Sequence, residues 1–196
     1  MLAVLERART VGFLGPGPLR VHLEHARSYG SLIPPDARRL IDLGSGGGLP
    51  GIPLLADAHD MTGVLLDAAS KRTAFLVWAA VELGISHRVS VVTERAEVAA
   101  HEEAHRGQYD VVVCRGFGPP AHTIECSAAY LSLGGRLLIS EPPDRRQWSS
   151  DVLESIGLTH TETSNGVAVF SRVGMVPDAI PRTIKRMQKD PLGVEA

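Results

Sequence analysis

The chain has 196 residues, 44% of them hydrophobic, which is enough apolar material for one well-filled core and excludes a disordered or fibrous protein. A formal net charge of −2 excludes nucleic-acid binding through overall charge, so any such contact must come from a local basic patch. Cys114 and Cys126 are too few for a disulfide framework, no Cys-x-x-Cys pair suggests zinc, and no apolar run has membrane length, so a cytoplasmic protein without a membrane partner is expected.

Residues 1–35 read as a helical lead-in. "GFLGPGP" breaks it, and "LRVHLEHARSYGSLI" resumes with helical spacing. From "RRLIDLG" onward, strand-length apolar runs alternate with helical segments: "GVLLDA", "KRTAFLVWAAVELG", "RVSVVTE", "AEVAAHEEAH", "YDVVVCR", "PAHTIECSAAYLSLG", "GRLLISE" and "RRQWSSDVLESIG". This alternation predicts an α/β fold, a mostly parallel sheet with helices on both faces. The ending differs, because "LTHTET" and "VAVFSRV" flank Asn165-Gly166, a pair suited to the positive φ angles of a tight antiparallel hairpin. The domain is read as 36–174, and 175–196 as a tail rich in proline and basic residues.

The stretch "IDLGSGGGLPGIPLL" places Gly44, Gly46, Gly47, Gly48 and Gly51 between the first strand and its helix. In a doubly wound sheet a ligand approaches the backbone there, and a β-carbon would block it. The glycines alone leave two ligands open: Gly46 to Gly51 fits the G-x-G-x-x-G form of a dinucleotide site, and Asp42 to Gly48 fits the D-x-G-x-G-x-G form of S-adenosylmethionine sites. Asp67, ending the second strand, suits ribose hydroxyls in either case. Asp42 would repel a pyrophosphate but attract the ammonium of a methionine moiety, and the antiparallel hairpin is the variation found in class I methyltransferases. Both features favour S-adenosylmethionine, with Asp42, Gly44, Ser45, Gly46, Gly48 and Asp67 as cofactor-binding candidates.

"DLGSGGGLPGIPL" resembles the signature of the bacterial RsmG (GidB) family, which methylates N7 of a guanine in 16S ribosomal RNA. "RVHLEHARSYGSL", "LLDAASKRTAFLVWAAVELGI", "TERAEVAA", "CRGFGPP" and "IPRTIKRMQKDPL" are similar, in order, to further family segments, so the resemblance runs from about residue 20 to residue 192. It implies a class I (Rossmann-like) methyltransferase sheet, S-adenosylmethionine as cofactor, and 16S rRNA or the small ribosomal subunit as partner. It also implies that Gly44, Gly46 and Gly48 line the methionine end, Asp67 binds the ribose, Ala96 and Glu97 frame the adenine, and Arg115 faces the acceptor as the catalytic candidate. The chain departs from the family in lacking an N-L-T motif ahead of the second helix, in ending its fifth strand with Glu141-Pro142-Pro143 instead of Lys-Gly, and in lacking a glycine in its tail. A paralogue with another acceptor, a binding protein on the same domain and an NAD-linked oxidoreductase are the competing readings.

Guanine N7 already carries a free lone pair, so transfer to it needs no general base, and no Cys-His or Ser-His-Asp arrangement stands out. "HEEAH" at 101–105 fits H-E-x-x-H formally, yet no third ligand is in place and a solvated polar face is expected, without metal. Cys114, Cys126, Trp78 and Trp148 read as packing residues. Arg7, Arg9, Arg20 and Arg27 in front, with Arg172, Arg182, Lys185, Arg186 and Lys189 behind, are candidates for phosphate contacts beside the cleft.

Overall fold

A computed structural model describes residues 1–141 and 148–192. The lead-in forms α1 (Leu2–Thr10) and α2 (Leu19–Ser28), separated where Gly12, Gly15, Pro16, Gly17 and Pro18 leave no helical run, followed by a 3₁₀ turn (Gly30–Leu32). Next come β1 (Arg39–Leu43), α3 (Gly51–Asp57), β2 (Thr62–Asp67), α4 (Ser70–Glu82), β3 (Val89–Thr93), α5 (Ala96–Ala99), β4 (Tyr109–Cys114), α6 (Pro120–Tyr130) and β5 (Leu131–Ser140). The chain closes with α7 (Ser150–Ser155), β6 (Leu158–Ser164), β7 (Val167–Arg172) and α8 (Ile184–Lys189).

Among the described residues these strands form one seven-stranded sheet in the order β3-β2-β1-β4-β5-β7-β6. All neighbours are parallel except that β7 runs antiparallel to both β5 and β6. The expected hairpin turn is present, with Asn165 at φ 52° and Gly166 at φ 73°. Side chains alternate between two cores, as the pleat requires. Leu40, Leu65, Val111, Val113, Leu138 and Val169 pack with α1, α3 and α4, whereas Ile41, Leu66, Val112, Cys114, Leu137 and Phe170 pack with α6 and α7. The same alternation sends Asp42 to the first face, beneath the start of α3.

Two segments differ from the sequence expectation. "AEVAAHEEAH" is helical only over Ala96–Ala99 and continues as turns. The segment read as one helix through "YLSLG" ends at Tyr130, and β5 begins at once, pairing Leu131 with Tyr109 before a register shift carries it to Arg136 opposite Val111. The tail packs against the domain: Ile180 and Met187 are buried, and Glu125 of α6, fully buried, accepts from the Arg182 backbone N–H at 2.7 Å and from its guanidinium at 2.9 and 2.7 Å. The expected helix at 145–156 is described only from Ser150, and Pro142, Pro143, Arg145 and Arg146 lie outside the described residues.

Candidate functional site

β1 and β4 lie side by side, Leu43 beside Cys114, and then part: β1 leads to α3 on one face, β4 to α6 on the other. The crevice opened by such a divergence is the ligand position of an open α/β sheet. Here it is a cavity of 260 Å³ lined by Gly44, Ser45 and Gly46 from the first turn, Arg115 from the end of β4, Arg72 of α4, and Phe13, Leu14 and Gly15 of the lead-in. A second hollow of 260 Å³ adjoins it beyond Gly116, between Phe117, Thr123, Ser140 and Glu141.

The glycine turn is held by hydrogen bonds to the ends of β1 and β2. Gly44 and Ser45 donate their N–H groups to the Leu66 carbonyl at 2.8 and 3.0 Å, and Ser45 Oγ donates to the Asp42 carbonyl at 2.9 Å. Asp67 closes the turn from β2, its Oδ2 accepting from the Gly46 N–H at 3.0 Å and its Oδ1 from the Ala69 N–H at 2.9 Å. Gly44 and Gly46 sit at φ +68° and +53°, a region side chains disfavour. A β-carbon on Gly44 would come 2.7 Å from Phe117 Cδ2, whereas one on Gly46 would meet nothing nearer than 3.7 Å. Gly46 thus borders open space, where a ligand can approach the backbone.

Asp42 is fully buried. Its Oδ2 accepts from the Gly51 N–H at 3.0 Å, while Oδ1 has no partner among the described residues. Burial pushes its carboxyl up to about 7, against the opposing pull of the Gly51 hydrogen bond. A buried carboxylate with an orphaned oxygen below a glycine turn suits an ammonium group or a water that relays to one.

Arg115 donates from Nη2 to His22 Nδ1 at 2.8 Å, and its Nη1 is buried without a partner among the described residues. Burial lowers its pKa, so its charge is held at a cost that an oxygen ligand would relieve. Ala96 and Glu97 follow β3, two strands away from β1, and do not line the first cavity. The buried Glu97 carboxylate pairs with Arg95, and the Ala96 carbonyl accepts from Tyr130 OH at 2.7 Å. Across from them on α6, burial lowers the His122 pKa while Glu97 and Glu125 oppose the shift.

The structure therefore brings Gly44, Ser45, Gly46 and Arg115 to one crevice, with Asp42 and Asp67 hydrogen-bonded to its glycine turn and α3 start; it turns Gly48 toward Ile52 of α3, whose side chain a β-carbon there would overlap, and leaves Ala96 and Glu97 at the far strand. Sequence reasoning passed over His22, whose bond to Arg115 spans 93 residues, and Gly51, whose N–H serves Asp42. The His101 and His105 rings have separate partners: His101 Nε2 lies 2.8 Å from the Pro181 carbonyl and His105 Nδ1 2.7 Å from Tyr109 OH. Among the described residues no His, Cys, Asp and Glu group suits a metal. Several basic candidates are structural. Arg172 caps the Leu131 and Gly174 carbonyls, Arg182 serves Glu125, Arg27 pairs with Asp57 at 2.8 Å, and Arg7 lies 4.4 Å over the Trp78 ring. Trp148 packs edge-on against Phe170 at 4.8 Å.

The comparisons agree with this geometry. The family model described as rRNA small subunit methyltransferase G matches residues 19–144. A ribosomal RNA small subunit methyltransferase G from Prochlorococcus marinus (strain NATL1A) is 29% identical over 189 residues, covering 90% of this chain and 73% of the relative. One of the same name from Synechococcus sp. (strain CC9902) is 31% identical over 177 residues, covering 82% and 71%. Among solved structures, an S-adenosylmethionine-dependent methyltransferase from Thiobacillus denitrificans in complex with S-adenosyl-L-homocysteine superimposes with a TM-score of 0.54 at 22% identity, over 79% of this chain and 70% of that one, and so supports the fold. With a mostly parallel sheet closed by an antiparallel hairpin and a family match over residues 19–144, more than half of its length, this chain is a member of the S-adenosylmethionine-dependent rRNA small subunit methyltransferase G family.

Proposed function

We propose that the protein transfers a methyl group from S-adenosylmethionine to small-subunit ribosomal RNA in the cytoplasm, with guanine N7 as the acceptor atom. The observation that carries this reading is the intact glycine turn, locked by Asp67 over the buried Asp42 and facing Arg115 across one crevice. The residues present fit the cofactor: the open side of Gly46 admits a ligand, and Asp42 Oδ1 has no donor among the described residues. When bound, S-adenosylmethionine supplies an electrophilic methyl on a sulfonium.

Within this reading Gly44, Ser45, Gly46 and Gly48 hold the methionine portion, Asp42 attracts its ammonium, Asp67 accepts from ribose hydroxyls, and Ala96 and Glu97 border the adenine. Arg115 faces the acceptor. Because N7 has a lone pair in the neutral base, no side chain has to take its proton during transfer. The protein's contribution is orientation and exclusion of water. Residues 36–174 form the catalytic unit, residues 1–35 cover the crevice, and residues 175–196 contribute Lys185, Arg186 and Lys189, exposed on α8, to the RNA face.

Two substitutions test the assignments separately. Asp67→Ala should weaken S-adenosylmethionine binding by about 1.5–3 kcal/mol in calorimetry, through lost charge-assisted hydrogen bonds; unchanged affinity would remove Asp67 from the cofactor site. Arg115→Ala should lower methyl transfer to small subunits about ten- to a hundredfold with cofactor affinity within about twofold, and wild-type turnover would exclude it from the acceptor side. A second reading, another acceptor on the same cofactor site, is favoured by one observation: Glu141, buried at the end of β5, lines the second hollow where the resemblance calls for lysine. A carboxylate there disfavours nearby phosphates.

A further inference from the structure

Helix α2 turns one polar face toward the carboxyl ends of β4 and β5. His22, His25 and Tyr29, spaced three and four apart, share that face. Each reaches a different partner: His22 Nδ1 the Arg115 Nη2 at 2.8 Å, His25 Nε2 the Ser140 Oγ at 3.1 Å, and Tyr29 OH the Cys114 carbonyl at 3.1 Å.

The two contacts of His22 fix its hydrogen. Nε2 lies 3.0 Å from the Pro16 carbonyl oxygen, which can only accept, so that nitrogen carries the proton. Nδ1 faces a guanidinium, which can only donate, so it must offer a lone pair. Only the neutral Nε2–H tautomer satisfies both. A guanidinium is planar, so anchoring Nη2 also sets the direction of Nη1, the buried atom without a partner among the described residues.

We propose that His22 is a positioning residue for methyl transfer: by accepting from Arg115 Nη2 it holds Arg115 Nη1 ready for an oxygen of the acceptor, and it does so only while its Nδ1 is unprotonated. This rests on the reading of the crevice as a methyltransferase site with Arg115 on the acceptor side. Pro16 belongs to the Gly15-Pro16-Gly17-Pro18 segment whose Gly15 lines the cavity. The carbonyl, the imidazole and the guanidinium thus form one chain of hydrogen bonds from the lead-in to the end of β4.

A proton on Nδ1 would replace the lone pair with a hydrogen and set two cations 2.8 Å apart. The other titratable and charged groups around this contact are His25 on α2, Tyr29 just after it, Asp42 near the end of β1, Arg72 of α4, Cys114 at the end of β4, and Glu141 after β5. Burial lowers the His25 pKa, and the neighbouring Arg115 adds to the shift. Asp42 acts on cofactor binding, so turnover at saturating S-adenosylmethionine isolates the acceptor side.

The test uses the full-length chain, labelled S-adenosylmethionine at saturation and small subunits from cells lacking their own enzyme of this family. His22→Ala should lower turnover about ten- to a hundredfold with cofactor affinity within about twofold. His22→Asn, whose Oδ1 can also accept from Nη2, should recover most of the loss. Wild-type turnover in His22→Ala overturns the proposal. So does a His22→Asn variant that is folded by thermal melting yet stays as impaired as His22→Ala. Should His22→Ala fail to fold, His22→Leu, close to histidine in size and without an acceptor, takes its place, and wild-type turnover there overturns the proposal equally. Failure of the underlying reading looks different: the wild-type protein would bind no S-adenosylmethionine or label no RNA.

Discussion

Replacing Asp42 with asparagine is expected to stabilise the cofactor-free protein at pH 8 and to weaken its binding of S-adenosylmethionine. An unfolded aspartate titrates near about 4, whereas burial pushes Asp42 to about 7. Between those values the folded state holds a proton that the unfolded state has released, so stability falls as pH rises through this window and stays lower above it. Asparagine keeps an oxygen for the Gly51 N–H, held at 3.0 Å, without the buried charge. The variant's advantage should be small at about pH 4 and on the order of several kcal/mol above pH 7. Wild-type affinity for the cofactor should rise with pH as Asp42 ionises to meet the ammonium, and the variant should bind about tenfold more weakly at pH 8 without that rise. Thermal melts and calorimetry at both pH values check the pair of effects. An advantage over wild type no larger at pH 8 than at pH 4 would show that Asp42 carries no buried charge.

Gly51→Ala sets helix propensity against packing. Alanine in the first turn of α3 would gain about 1 kcal/mol over glycine. Its β-carbon, however, would lie 2.5 Å from Asp42 Oδ2 and 2.8 Å from Leu65 Cδ2, closer than real contacts allow. Both neighbours belong to buried strand residues, so neither can swing aside cheaply. Overpacking of this kind costs about 1–3 kcal/mol and occasionally more, and moving Asp42 also strains its bond to the Gly51 N–H. A net loss of about 2–3 kcal/mol in denaturant unfolding is expected. Stability within about 0.5 kcal/mol of wild type would mean that α3 does not press on β1 as described.

The features that were legible in the sequence are those written locally. Strand ends at Leu43, Asp67 and Cys114 follow from apolar runs stopping at polar or glycine residues, and Asn165-Gly166 announces its hairpin within two positions. The turn from Gly44 to Gly48 could be read because positive φ angles demand glycine whatever the surroundings. Glycine at 51 has a tertiary cause instead, the approach of Asp42, and no neighbour in the chain reports it. Long-range polar pairing was equally hidden. Arg182 reads as a phosphate-binding tail residue until Glu125, 57 positions away, is seen to hold it, and nothing beside Arg115 in the chain announces that α2 delivers His22 to it. The overlong helix read into "AEVAAHEEAH" has a physical reason as well: its histidines take partners on other elements, Pro181 and Tyr109, and the chain turns to meet them.

The most direct measurement of the central claim is the position of the methyl group. Small subunits from cells lacking the family enzyme, incubated with the purified chain and labelled S-adenosylmethionine, should acquire label in 16S rRNA at N7 of a single guanine, identified by nuclease digestion and mass spectrometry. Firm cofactor binding with no label in the RNA, or label on another atom, would contradict it and assign the crevice between β1 and β4 to a different acceptor.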